Sequence, residues 1–329
     1  MRLIVAGLVS VGAMLASGCG GTSEAGAGSG DRLTLVAYTT PREVYEVLIP
    51  AFAKTRRGAG SRFDQSYGSS GEQSRAVESG LPADIVALSL EPDVTRLVDA
   101  GLVAEDWSDD AHDGMVSRSV VVLAVRQGNP KEIDGWDDLL RDDVEVITPN
   151  PFTSGGARWN VMAAYGAQLE QGRSEEQAVE YLGRLFANVS VQDKSARESL
   201  QTFTGGKGDV LIAYENEAIT AQQKGEKLDY VIPDETILIE NPIAVLEGAP
   251  AQARAFVDFL RTRESQEVFA EKGYRSILDE LVDEERYPAP ETMFTIADLG
   301  GWPEVQESFF DREEGIMADI QREVGAALE

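Results

Sequence analysis

The amino-acid sequence predicts an α/β protein with mostly parallel sheets and helices on both sheet faces. Short apolar runs alternate along the chain with segments of helical periodicity, which is the pattern of strand–helix–strand units. The run at 120–125 and, after Asp84, the rest of the run at 84–88 are continuously apolar, as in strands that are covered on both faces. The chain has 329 residues, which is long for a single core and suits two lobes of ordinary size.

The first predicted unit is a strand at 33–38 followed by a helix. Thr40 is a favourable N-cap residue, and Pro41 is favourable at the first helical position. Apolar residues recur with helical spacing over 44–52, where Pro50 is expected to kink or end the helix.

The next segment is predicted to start with a polar link at 62–65, followed by a small-residue loop at 67–71. A helix through Val77 follows this loop. The buried strand at 84–88 and a helix from Asp93 to Ala100 complete this part of the chain.

The second half of the chain continues the same alternation. Because ligands bind at the carboxyl ends of strands in such sheets, the loops that follow strands are the expected functional loops. Further strands are predicted at 120–125, 144–147, 189–191, 209–214, 230–232 and 237–239, and further helices at 136–140, from the turn 153–156 through Leu169, around 181–186, from Asp193, and between 251 and 272.

Composition excludes several functional classes. The formal net charge of −28 argues against nucleic-acid binding, which requires clustered Lys and Arg. One Cys and one His leave no disulfide framework and no Cys-based metal cluster, and no cofactor motif is present. His112 lies in an acidic stretch and is expected in a surface loop. We therefore expect neither a metal nor a cofactor.

The N-terminal segment predicts export. Residues 1–18 have a short basic start and an apolar core too short to span a bilayer, as in a signal peptide. Residues 15–19 resemble a bacterial lipobox, which predicts lipidation of Cys19; the alternative is a buried Cys in an ordinary secretory signal. Residues 19–32 would form a flexible tether. These features predict a protein anchored by lipid at the outer face of the cytoplasmic membrane or in the periplasm.

Three strand-to-helix turns share Ser or Thr with Gly or Ala, at 69–71, 153–157 and 195–197. The first N–H groups of a helix lack partners within that helix, and glycine lets a ligand approach the backbone closely. A Ser hydroxyl adds a rotatable donor. Each turn alone is more often a simple helix cap, but together they indicate an anion site built from uncharged donors.

Longer motifs in the same loops resemble a known family. The segments 64–73, 147–160 and 208–218 are similar to anion-binding loops of the sulfate/thiosulfate-binding proteins of ABC importers. The resemblance extends from about residue 33 to the last helices. It implies a two-lobed type II periplasmic-binding-protein fold, in which each lobe is a mostly parallel sheet flanked by helices and a hinge joins the lobes. The expected division is 33–125 plus 239–329 for lobe 1 and 126–238 for lobe 2.

The resemblance also implies the binding residues. Ser154 would donate through its backbone and its hydroxyl, and characterised relatives have Trp where this chain has Tyr214. At Thr39 the family often has Asp. The implied ligand-binding residues are Ser70, Ser154, Gly155, Gly156, Ala196 and Tyr214. The implied supporting residues are Thr39, Arg42, Gly71, Arg158 and Arg197, the arginines as salt-bridge partners or packing supports.

A site made only of donors favours sulfate over phosphate, because phosphate keeps a proton that finds no acceptor. Glu72 is expected to point away from the ligand, although acceptance by Glu72 or Tyr214 would admit phosphate. The expected function is capture of sulfate or thiosulfate by a monomer that delivers it to the permease and ATPase subunits of an importer. Molybdate or phosphate binding and a sensor lipoprotein of the same fold remain alternatives.

An enzyme is not expected. Ser70 and Ser154 lie outside any G-x-S-x-G elbow, and His112 is far from both in the sequence. Glu215 and Glu217 could supply two carboxylates, but their spacing is more typical of a turn or helix start.

Overall fold

The computed structural model describes residues 32–328. The predicted signal peptide, Cys19 and all but the last residue of the tether lie outside the described residues. The strands are β1 (Arg32–Tyr38), β2 (Arg62–Gly68), β3 (Ile85–Ala87), β4 (Met115–Arg126), β5 (Val146–Ile147), β6 (Val189–Val191), β7 (Val210–Tyr214), β8 (Leu228–Val231), β9 (Glu235–Val245) and β10 (Thr292–Phe294).

Helices separate most of these strands, as the alternating pattern predicts. The α-helices are α1 (Arg42–Phe52), α2 (Ser70–Glu78), α3 (Glu91–Asp99), α4 (Gly155–Glu170), α5 (Glu175–Ala187), α6 (Ala196–Thr204), α7 (Glu215–Gln223), α8 (Ala251–Leu260), α9 (Arg263–Glu271), α10 (Gly301–Phe310) and α11 (Ile316–Glu323). Short 3₁₀ helices cover Trp136–Leu140, Asp279–Leu281 and Ala297–Leu299. None of the helices within residues 32–328 has the length and apolar character needed to cross a membrane.

The strands form one continuous sheet in the order β2-β1-β3-β9-β4-β7-β5-β6, with β10 beside β9 and β8 beside β4. At one end β1 runs parallel to β2 and β3, and at the other end β5 runs parallel to β6 and β7. The two central strands, β4 and β9, run antiparallel to each other and to β3, β7 and β8, whereas the short β10 runs parallel to β9. The sheet is therefore parallel at its ends and antiparallel in the middle.

The long strands β4 and β9 connect the two ends of the sheet. Val120 of β4 pairs with Leu238 of β9, whereas the following residues of β4 pair with β7 and the last residues of β9 pair with β3. The predicted lobe boundaries, after residues 125 and 238, lie on these two strands. Each strand therefore contributes one part to each end of the sheet.

Two details predicted for the first part of the chain are wrong. The segment at 62–65, expected to be a polar link, belongs to β2, which pairs in parallel register with β1. Its polar residues suit an edge strand that solvent can reach. Thr40 is not the N-cap of α1, because Pro41 holds that position without a side-chain capping bond. Pro50 lies inside α1, in its last turn, and the helix ends at Phe52.

Other boundaries shift without changing the order of elements. The helix expected from Asp93 begins at Glu91, and the strand expected at 237–239 is the middle of the much longer β9. The C-terminal helices α10 and α11 pack in one apolar cluster with α4 and α5, through residues such as Tyr165 and Phe309. On the other side, α1, α8 and α9 pack against β1 and β3.

Candidate functional site

A small cavity lies where the carboxyl ends of β1, β3 and β7 meet the N-termini of α2, α4, α6 and α7. The cavity contains every ligand-binding residue implied by the sequence, although they come from segments far apart in the chain. The lining residues are Tyr38, Thr39, Thr40, Gly68, Ser69, Ser70, Ser89, Ser154, Gly155, Gly156, Ser195, Ala196 and Tyr214.

Three helices begin at the cavity wall with a predicted ligand residue. Ser70 is the first residue of α2, Gly155 and Gly156 open α4, and Ala196 is the first residue of α6. Backbone N–H groups in a first turn have no partner within their helix, and the helix dipole makes that end partially positive. These helix ends can hold an anion without a charged side chain.

The hydroxyl of Ser70 is already engaged in bonds within the protein. It donates to Oδ2 of the buried Asp93 at 2.6 Å and accepts from the backbone N–H of Ser89 at 2.9 Å. The Ser70 hydroxyl therefore locks the N-terminus of α2 against α3. The backbone N–H of Ser70, at the start of α2, is the donor that this residue could offer a ligand.

Ser154 has the opposite arrangement. Its backbone N–H, which the resemblance implies as a ligand donor, donates to the carbonyl of Asn150 at 2.9 Å. Its hydroxyl oxygen caps α4 by accepting from the N–H of Ala157 at 3.4 Å. Since capping uses an oxygen lone pair, the hydroxyl proton remains available to a ligand.

Gly155 and Gly156 permit close packing around the cavity. A Cβ atom on Gly155 would lie 2.8 Å from Ser89 Oγ and 2.9 Å from Leu90 Cγ. A Cβ atom on Gly156 would lie 3.3 Å from the Cβ of Ala196. The two contacts of a Cβ at residue 155 are shorter than side chains tolerate, so glycine is required there for α4 to approach the end of β3.

Tyr214 is buried at the junction of β7 and α7. Its phenolic Oη lies 2.8 Å from Oγ of Ser89. Burial raises the pKa of the Tyr214 phenol, so the group stays protonated at neutral pH and keeps a proton to donate.

Ser89 is a residue that the sequence reasoning missed. It lines the cavity, is buried, and follows β3 by two residues. Its carbonyl accepts from Trp159 Nε1 at 2.9 Å and from Asn241 Nδ2 at 3.2 Å. The signal that could have found it is its position at the carboxyl end of a parallel strand, where ligands bind in α/β sheets.

The implied supporting residues fall into two groups. Thr39 lines the cavity, and a Cβ on Gly71 would lie 3.4 Å from the carbonyl oxygen of Thr153. Arg42 is exposed, with its guanidinium 4.7 Å from the centre of the Tyr67 ring. Thr39 and Gly71 are thus close to the cavity, whereas the Arg42 side chain is not among its lining residues.

Arg158 also lies outside the cavity lining. It donates from Nε to the carbonyl of Pro151 at 2.9 Å and from Nη1 to Gln306 at 2.7 Å, and it lies over the ring of Phe310. Burial lowers the pKa of Arg158 to about 10, which leaves it charged at neutral pH. Arg158 therefore ties α4 to α10. Glu72 is exposed and likewise absent from the lining.

Arg197 forms an ion cluster beside the cavity. It donates to Glu43 at 2.6 Å, to Glu217 at 3.0 Å and to the carbonyl of Thr40 at 3.3 Å, and Lys224 also pairs with Glu43. These contacts connect α1 with α6 and α7. The cluster therefore joins elements from both predicted lobes.

The two carboxylates of this cluster titrate differently. Partial burial opposes ionisation of Glu43, but its bonds to Arg197 and Lys224 outweigh burial and lower its pKa to about 2. Burial raises the pKa of Glu217, and its ion pair with Arg197 only partly compensates. Glu43 is therefore the carboxylate that this cluster holds most firmly in its charged form.

The carboxylate pair considered for catalysis is committed to other partners. Glu215 forms a buried bidentate pair with Arg275 at 2.7 and 3.0 Å, and Glu217 pairs with Arg197. Neither Glu215 nor Glu217 lines the cavity. Within residues 32–328 no group of acidic, His or Cys side chains is arranged to hold a metal ion.

Comparison with known proteins identifies the family of this chain. The family model for bacterial extracellular solute-binding proteins matches residues 33–275. The sulfate-binding protein of Synechococcus elongatus is 46% identical, and the match covers 89% of this chain and 88% of the relative. The thiosulfate-binding protein of Pseudomonas aeruginosa is 34% identical, over 94% of this chain and 96% of the relative.

A solved structure extends the comparison to the fold. The sulfate-binding protein SubI from Mycobacterium tuberculosis H37Rv is 42% identical, with a TM-score of 0.81, over 85% of this chain and 99% of that chain. This confirms the predicted periplasmic-binding-protein fold. The relatives are binding proteins, which confirms that the chain is not an enzyme, and the family is extracellular, in agreement with the predicted export. The chain thus belongs to the bacterial extracellular solute-binding proteins, in the group of the sulfate- and thiosulfate-binding proteins.

Proposed function

We propose that this protein captures sulfate or thiosulfate in the cavity and delivers it to the permease and ATPase of an ABC importer. The observation that carries the proposal is the composition of the wall. Its thirteen lining residues include no Asp, Glu, Lys or Arg, while three helix N-termini and several hydroxyls face the cavity. Such a wall stabilises an anion through fixed dipoles and neutral donors.

Selectivity follows from the protonation of the ligand. Sulfate is fully deprotonated at neutral pH, whereas phosphate retains at least one proton. Gly155, Gly156 and Ala196 present backbone N–H groups, which donate but cannot accept. Leaving the phosphate proton without an acceptor costs roughly 1–3 kcal/mol, which corresponds to about 5- to 150-fold in affinity.

Contacts across the cavity support capture by enclosure. Trp159 donates to the carbonyl of Ser89, and Arg197 pairs with Glu43. In each pair one residue belongs to predicted lobe 1 and the other to predicted lobe 2. We propose that these bonds form when the lobes close, with β4 and β9 as the hinge, so that the anion is held away from solvent.

Calorimetric titration tests the proposed ligand. The mature protein would be titrated with sulfate, thiosulfate, phosphate and molybdate at neutral pH. We expect binding of sulfate or thiosulfate and at least tenfold weaker binding of phosphate. Binding of phosphate or molybdate alone would overturn the ligand assignment, and absence of binding to all four anions would overturn the proposed function.

The proposed location is a membrane surface, through lipid on Cys19, with the domain acting as a monomer. Replacing Cys19 with Ser removes the thiol to which the lipid would be attached. We expect the wild type in the membrane fraction and Cys19→Ser in the soluble exported fraction, with equal sulfate affinity for both. Retention of Cys19→Ser in the membrane fraction would contradict lipid anchoring at this residue.

Delivery to an importer is tested separately from binding. Labelled sulfate uptake would be compared between cells with the protein and cells that lack it. We expect uptake from dilute sulfate to depend on the protein. Unchanged uptake together with tight binding would favour the sensor alternative.

A further inference from the structure

We infer that Ser89 is a further anion-binding residue and that it shares a single donated proton with Tyr214. The inference rests on the proposed function of the cavity. Both side chains line the cavity, and Ser89 Oγ and Tyr214 Oη lie 2.8 Å apart with both groups buried. The two hydroxyls therefore form one hydrogen-bonded unit in the wall.

The number of hydroxyl protons determines how many donors this pair can offer to an anion. Two hydroxyls carry two protons, and one proton occupies the bond between the oxygens. If Ser89 donates to Tyr214, the phenolic proton is free. If Tyr214 donates to Ser89, the Ser89 proton is free. One donor thus remains for the anion in either arrangement.

Three hydrogen bonds hold the backbone of Ser89. Its N–H donates to Ser70 Oγ at 2.9 Å, and its carbonyl accepts from Trp159 Nε1 and Asn241 Nδ2. Because the main chain is held in this way, Ser89 can respond to a ligand through its side chain, by turning its hydroxyl proton. Such a held hydroxyl can switch its donor direction without moving the backbone.

The position of Ser89 also places it beside the proposed N–H donors at the start of α4. A Cβ on Gly155 would lie 2.8 Å from Ser89 Oγ, so this oxygen lies against the first residue of α4. A Cβ on Gly156 would lie 3.6 Å from Cε1 of Tyr214. Ser89 and Tyr214 therefore adjoin two consecutive residues of α4, and all four residues line the same cavity.

This arrangement predicts that each hydroxyl can donate to the anion when the other is absent. When Ser89→Ala removes one oxygen, the Tyr214 proton is released from the shared bond and is free for the anion. When Tyr214→Phe removes the other, the Ser89 proton takes that role. Only loss of both hydroxyls removes the donor, so the effects of the two substitutions must be strongly non-additive.

The test is a double-mutant cycle for sulfate dissociation constants, measured by calorimetry on the mature protein. We expect Ser89→Ala and Tyr214→Phe each to weaken binding by less than about fivefold, and the double variant by about 30- to 100-fold. Ser199→Ala, which removes a buried hydroxyl that does not line the cavity, is the matched control and should bind like the wild type.

Folding of each variant is checked by circular dichroism. If the double variant does not fold, Ser89→Cys with Tyr214→Phe keeps the volume and only a weak S–H donor, and should bind about tenfold more weakly than Tyr214→Phe alone. A double variant whose loss equals the product of the two single losses, or one that binds like the wild type, would overturn the shared donor. A wild type that binds no sulfate or thiosulfate would instead overturn the proposed function, and this inference with it.

Discussion

Gly155 and Ser89 approach so closely that a Cβ atom on Gly155 would lie 2.8 Å from the Ser89 hydroxyl oxygen. This contact joins the first residue of α4 to the segment after β3. The two elements belong to different predicted lobes and supply opposite walls of the cavity. The closed cavity therefore depends on the absence of a side chain at residue 155.

Gly155→Ala should weaken sulfate binding at least tenfold, because the added methyl group meets Ser89 Oγ and Leu90 Cγ below normal contact distance. Calorimetry of the variant measures this effect. Gly183→Ala is the matched control, since nothing lies within 4 Å of a Cβ at that position in α5. It should stabilise the protein by about 0.5–1 kcal/mol and leave affinity unchanged. Wild-type affinity in Gly155→Ala would contradict the packing argument.

Ser154→Ala should lose both a helix cap and a ligand donor. We expect a decrease of about 0.5–2 kcal/mol in the free energy of unfolding and at least tenfold weaker sulfate binding. Ser174→Ala separates the two effects, because Ser174 caps α5 in the same way but does not line the cavity. It should lose similar stability at constant affinity. If Ser154→Ala and Ser174→Ala have the same sulfate affinity by calorimetry and the same free energy of unfolding in urea, Ser154 is only a helix cap.

Ser70→Ala should lower the stability of the protein even without ligand, because the Ser70 hydroxyl bonds to buried groups of the protein. The substitution leaves Asp93 Oδ2 and the N–H of Ser89 without their 2.6 and 2.9 Å partner. Unpaired buried groups cost about 1–3 kcal/mol, so urea unfolding without ligand should reveal a loss of that size. Affinity should fall less than in Ser154→Ala, since the backbone N–H of residue 70 remains. Unaltered stability would mean that the Asp93 bond contributes nothing.

The Glu43–Arg197 pair predicts a dependence of stability on pH. The pKa of Glu43 is lowered from 4.5 to about 2, so its charged form stabilises the folded state above pH 4.5. That contribution is lost as the pH falls from 4.5 towards 2. In saturating sulfate, the free energy of unfolding of the wild type should exceed that of Glu43→Gln by about 1–3 kcal/mol at pH 6. The difference between the two free energies should be smaller at pH 3.

The exposed pair of Arg32 and Asp64 supplies the control for this series. Their side chains are 62% and 53% exposed, and exposed pairs contribute little to stability. Asp64→Asn should therefore have the same free energy of unfolding as the wild type, within experimental error, at pH 6 and at pH 3. If the free energies of unfolding of the wild type and Glu43→Gln differ by the same amount at pH 6 and pH 3, the assigned role of the Glu43 charge is contradicted.

Much of this structure could be predicted from the sequence because its signals are local. The apolar run 120–125 and the turns at 69–71, 153–157 and 195–197 each combine a strand or helix signal with its own boundary. Each of these turns follows a strand, where ligands bind in α/β sheets, and residues from all three line the cavity.

The missed features depend on contacts between distant residues. Ser89 stands alone between Leu88 and Leu90, so no motif marks it, and its importance comes from Tyr214, 125 residues later. The pair of Glu43 and Arg197 is likewise separated by 154 residues. The polar sequence of β2 predicts a link, because its pairing with β1, not an apolar pattern of its own, makes it a strand.

The central claim is that sulfate binds in this cavity through uncharged donors, and a crystal structure of the sulfate complex tests it most directly. We predict tetrahedral density within about 2.7–3.2 Å of the backbone nitrogens of Gly155, Gly156 and Ala196 and of the Ser154 hydroxyl, with no carboxylate in contact. An anion bound elsewhere on the protein, or one held mainly by Arg or Lys side chains, would contradict the account.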